Sequence, residues 1–144
     1  MARRTVADAD AVFVVGTPSM KGVHALVRVI HDVVGAGVAA TRVVPVVNQA
    51  PRSRRARAGL ASTVHALVAP SAGPLGLAAP VFLPTRPVED ALRDGVRLPA
   101  GLGEPLAGAL LAVTGSAAVT PRTSVPERVR PGSLGSWTEQ AADG

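Results

Sequence analysis

The stretch TRVVPVVNQAPRSRRAR, residues 41–57, decides the fold. Its apolar part, Arg42 to Val47, stops at Asn48 and passes through Ala50-Pro51 into four arginines in six positions, Arg52, Arg54, Arg55 and Arg57. A strand with one wet face alternates polar and apolar residues. This run does not alternate, so it reads as a strand buried on both faces, the habit of parallel sheets. Pro45 within it has no N–H to give to a ladder, which places it at a sheet edge or a bulge. The arginines then open a helix over residues 52–68, with Leu60, Val64, Leu67 and Val68 on its inner face.

Outward toward the N-terminus, AVFVVG at 11–16 is a second apolar strand, closed by the turn Thr17-Pro18-Ser19. From Met20 to Val34 the apolar positions Val23, Leu26, Val27, Ile30 and Val34 recur at threes and fours, one face of a helix. Ser19 can cap it and Gly35 or Gly37 can end it. Outward toward the C-terminus, a Gly/Pro-rich loop over 70–80 leads to a short strand, Val81 to Leu83, closed by Pro84. Pro87 suits the first turn of a helix to Asp94, where Glu89 and Asp90 face the positive end of its dipole and Gly95 stops it. A last helix runs over about 102–113, with Leu106, Leu110 and Val113 on one side. Beyond Gly115 the prolines and glycines leave no periodic apolar face, and residues 115–144, including Trp137, read as a disordered tail to a domain over 1–114.

This order, β-α-β-α-β-α, is that of an α/β protein with part of a three-layer parallel sheet. If the strands are neighbours in sequence order, right-handed crossovers place both connecting helices on one face. The other face would lie bare, which three apolar strands in water do not tolerate, so the chain is expected to form part of a larger sheet.

With 144 residues, 47% of them hydrophobic and 17% charged, the chain is long and apolar enough for one packed core. There is no cysteine, which rules out disulfides and thiol catalysis. The first residues, MARRTVADADA, place acids where a signal peptide needs its apolar segment, and no apolar run approaches the ~18 residues of a membrane span, so a cytoplasmic location without a membrane anchor is expected. His24, His31 and His65 show neither metal-ligand spacing nor a nucleophile partner, and read as surface or packing residues. Arginines outnumber lysines fourteen to one, in the company of abundant Ala, Gly, Pro and Val. Such a bias toward GC-rich codons makes the placement of arginines more telling than their number. Residues 52–69 hold four arginines and no acid, against a net charge of +5 for the whole chain.

Three segments, AVFVVGTPSMKGVHALVRVIHDV, then VVPVVNQAP, then PVFLPTRPVEDALRDGVRLP with the Leu/Ala helix after it, resemble in their order the C-terminal half of the ParA/MinD family of P-loop ATPases. The resemblance covers about residues 8–113. It implies that Asn48 meets the edge of an adenine base and that Pro84 and Thr85 form the other wall of the base pocket. It also implies nucleotide-switched dimers that position DNA, division or appendage machinery. The sequence departs from the family at the phosphate-binding loop: Gly16-Thr17-Pro18-Ser19-Met20-Lys21-Gly22 lacks the glycine spacing that lets successive amides wrap a phosphate. Asp8 and Asp10 stand before the first strand, the wrong end to hold magnesium. ATP is therefore expected to bind only with a complementary N-terminal half or partner, and this chain alone is not expected to catalyse hydrolysis. An alternative reading is a small basic protein that holds nucleic acid without sequence preference through Arg52, Arg54, Arg55 and Arg57. At ~100° per residue those four side chains point several ways rather than forming one stripe.

Overall fold

The computed structural model describes residues 2–115. Within them the elements are α1 (Ala2–Ala7), β1 (Val12–Gly16), α2 (Met20–Gly35), a single 3-10 turn (Ala40–Arg42), β2 (Val43–Val47), α3 (Arg54–Ala72), β3 (Val81–Phe82), α4 (Glu89–Asp94) and α5 (Ala100–Gly115). The three strands form one parallel sheet in the order β1-β2-β3, with Val12 opposite Val43 and Val46 opposite Val81. The fold is therefore α/β with the expected parallel sheet and helices between its strands. The expected tail, with Trp137, lies outside the described residues.

The helices form where their signals stand. Ser19 Oγ accepts the amide of Gly22, 3.0 Å away, at the start of α2. Gly22 itself sits so close to the preceding turn that a Cβ there would meet Thr17 Oγ1 at 2.1 Å. Ser53 caps α3 by accepting the amide of Ala56. Gly95 ends α4 in the left-handed conformation, φ 64°. Pro87, however, precedes that helix by two residues, and its N-cap is Val88, without a side-chain bond. Pro70, expected in a loop, lies in the last part of α3.

The two faces of the sheet bury different cores. On one, Val14 and Val43 meet Val23, Leu26, Val27 and Ile30 of α2 and Val64 and Val68 of α3, so both connecting helices do share a face. On the other, Val44, Val46, Val81 and Leu83 pack against Leu102, Leu106, Ala109 and Val113 of α5. This corrects the expectation of a bare second face. Neither helix after β3 leads into a further described strand, so no crossover rule fixes their side, and α5 packs on the second face as the third layer. Its inward residues recur at four, three and four, which leaves Leu110 44% exposed although it was expected inside. Leu67 of α3 is likewise 37% exposed. At the end of β1 the cover is thinner, and Val15 is 61% exposed.

Pro45 also differs from expectation. It is buried in the central strand, in register with Val14 and without a bulge. The carbonyls of Val43 and Val47 accept the amides of Ala78 and Leu83 on the β3 side. By the two-residue alternation of a strand, Pro45 turns its own backbone groups the same way. There β3 is only two residues long, and its pairing begins one step later, at Val46. The missing donor thus falls where no ladder bond is drawn.

Candidate functional site at the carboxyl ends of the strands

All three strands point their carboxyl ends the same way, so the loops after them meet at one edge, where open α/β sheets take ligands. After β2 the chain makes a sharp, well-bonded passage. The Asn48 amide donates to the Gly16 carbonyl at 2.8 Å, continuing the ladder with β1. Gln49 then adopts a left-handed backbone, φ 56°, uncommon for a residue with a Cβ. The Ala50 amide crosses to the Leu83 carbonyl of the β3 end at 2.8 Å. These bonds bring Pro51-Arg52 opposite Pro84-Thr85-Arg86.

Between the two loops lies a cleft of about 560 Å³, lined by Ala50, Pro51, Arg52, Arg57, Pro84, Thr85 and Arg86. Its size suits a nucleotide-scale ligand. Three arginines and no acidic residue are among its lining residues. Arg57 is fixed before any ligand arrives. Its Nε donates to the Pro51 carbonyl at 2.7 Å, and its guanidinium carbon stands 6.0 Å from the centre of the Phe82 ring, within reach of a cation–π attraction. Pro51 also lines a neighbouring cleft of about 480 Å³, with Pro18, Gln49, Ala56, Gly59, Leu60 and Thr63, which has no charged lining residue.

The expected site residues divide. Pro84 and Thr85 do wall a cleft, and Arg52 and Arg57 line it with them. Asn48 is not among its lining residues. Its side-chain oxygen accepts the Gln49 amide at 2.9 Å, a local turn bond, and it is Gln49 that reaches the neighbouring apolar cleft. Arg54 and Arg55 are exposed in the first turn of α3 and line neither cleft. The four arginines therefore split: Arg52, which precedes α3, and Arg57 line the cleft, and Arg54 and Arg55 do not. Arg86 was not singled out from the sequence. Its signal was present: it directly follows Thr85 at the end of a parallel strand, and so is bound to arrive at the same edge.

Comparison with family models, with curated proteins and with solved structures finds nothing that matches this chain. Among the described residues no group of three His, Asp or Glu is placed to hold a metal ion. No helix among them is long and apolar enough to cross a membrane.

Proposed function

We propose that the chain is a nucleotide-binding α/β element of ParA/MinD type that holds its ligand at the carboxyl edge of the sheet and does not turn it over by itself. The observation that supports this reading is the cleft between the β2–α3 and β3–α4 loops, walled by Pro84 and Thr85 where the family resemblance expects a nucleotide pocket. Hydrolysis needs a glycine-rich loop and a metal-holding carboxylate, and this sequence has no such loop. Those parts would have to come from another segment or from a partner protein that carries them. Equilibrium dialysis of the purified chain against ATP, with phosphate release followed in parallel, tests the reading. Because both walls of the cleft come from this chain, the proposal departs from the expectation that ATP needs a complementary half, and saturable binding without turnover is expected. Absence of saturable binding, or turnover by the chain alone, would contradict it.

A second reading, non-specific DNA binding, is favoured by one observation. Arg54 and Arg55 stand outside the cleft, exposed beside it, where a phosphate backbone could reach them together with Arg52. The double variant Arg54→Glu, Arg55→Glu separates the two, since it should sharply weaken retention of duplex DNA in a gel while leaving ATP binding in place.

A further inference from the structure

The family resemblance would put a base against Pro84 and Thr85, with phosphates held elsewhere. We infer the opposite polarity: the cleft lined by Arg52, Arg57, Arg86 and Thr85 is an oxyanion site of this chain itself, and it takes the phosphate of a nucleoside monophosphate. The inference rests on the nucleotide-binding reading and fixes which end of the ligand goes where. Four observations carry it. The lining has three cations and no acid. Thr85 adds a hydroxyl able to donate to a phosphate oxygen. Arg57 is already oriented by the Pro51 carbonyl and the Phe82 ring. Its Nε–H is used in that bond, and a guanidinium has four further N–H donors, in the planar fork that matches phosphate oxygens two at a time. Finally, the apolar cleft next door shares Pro51 and offers the Gln49 amide, a donor and an acceptor in fixed geometry. A base placed there would lie one proline away from a phosphate held by the arginines.

Titration calorimetry of the full chain with AMP, adenosine and inorganic phosphate tests the assignment. AMP should bind at least tenfold more tightly than adenosine, and inorganic phosphate should displace it. Arg57→Ala should weaken AMP at least tenfold and leave adenosine unchanged. Arg57→Lys, which keeps the charge but loses the fork, should recover only part of that. Because Arg57 also braces the β2–α3 loop, Arg86→Ala is the companion variant, with a several-fold loss for AMP expected from a side chain with no bond to the loops. The Arg54→Glu, Arg55→Glu variant should change AMP binding less than twofold. Equal affinity for AMP and adenosine overturns the proposal and leaves the nucleotide reading standing. So does an equal loss from Arg57→Ala and from the Arg54/Arg55 pair, which would mean diffuse charge rather than a site. Phosphate binding that depends on Arg57, without preference for AMP over phosphate, keeps the oxyanion site and removes the nucleotide. No binding of any of the three ligands removes both.

Discussion

Val43 and Val46 offer a matched test of the three-layer fold. They are the same residue type, in the same strand, and each is 0% exposed, but they face opposite sides of the sheet. Val43 packs under α2 and α3, and Val46 under α5. Valine to alanine removes two methyl groups, about 1.6 kcal/mol of transfer free energy at about 0.8 kcal/mol each. The space left is roughly 50 Å³, and at about 24 cal/mol per Å³ an unrelaxed cavity adds about 1.2 kcal/mol. Each substitution should therefore cost about 2 to 3 kcal/mol. Loss of strand propensity is common to both and cancels in their comparison. Urea unfolding followed by circular dichroism measures the two differences, with the slope m checked for constancy between variants. Near-equal losses are the outcome that a second core under α5 requires. If Val43→Ala costs about 2 to 3 kcal/mol while Val46→Ala stays within about 0.5 kcal/mol, α5 does not pack on the sheet and the described third layer is wrong.

Three further outcomes follow from particular residues. Gly22→Ala should destabilise the protein by at least about 2 kcal/mol, because the new Cβ would meet the Thr17 hydroxyl and carbonyl at 2.1 and 2.5 Å, whereas Gly59→Ala, facing open space within α3, should stabilise by up to about 1 kcal/mol; thermal melts of the two variants should shift in opposite directions. Gln49→Gly should raise the melting temperature slightly and Gln49→Val should lower it by the equivalent of about 1 to 2 kcal/mol, since φ 56° strains a β-branched residue and suits glycine. If the chain holds duplex DNA, the slope of log affinity against log salt should fall by about two units in the Arg54→Glu, Arg55→Glu variant, measured by fluorescence anisotropy, and an unchanged slope would exclude those arginines from phosphate contact.

Much of the architecture was legible because each element announces itself locally. The unbroken apolar runs gave β1 and β2, the three-four spacing from Val23 to Ile30 gave α2, and Ser19 and Gly95 stand at helix boundaries as capping chemistry requires, whereas the helix expected from Arg52 begins at Arg54, after a Ser53 cap that the reading passed over. What escaped was decided by position in space. α5 is apolar nearly all round, with Leu110 and Leu111 outside and Leu106 and Val113 inside, so its pattern does not announce which side packs, and nothing local says that it covers Val44 and Val46. α1 has little to declare it beyond Val6 against the first core. Pro45 misled because its lost donor was judged without knowing that β3 is too short to need it. At the proposed site, strand ends and loops pointed to one edge of the sheet, and Pro84, Thr85, Arg52 and Arg57 line one cleft there. Asn48 does not join them because a bond to the adjacent amide of Gln49 is available to its side chain at no cost in chain ordering.

The central claim is that this chain binds a phosphate-bearing nucleotide between the loops that follow β2 and β3. The most direct measurement is a titration of the ¹⁵N-labelled protein with AMP, followed by amide chemical shifts. Saturable shifts confined to Gln49, Ala50, Arg52, Arg57, Thr85 and Arg86 and their neighbours are the predicted result. Shifts centred instead on the exposed face of α2, around Lys21, His24 and Arg28, or no saturable shift at any amide, would contradict the claim.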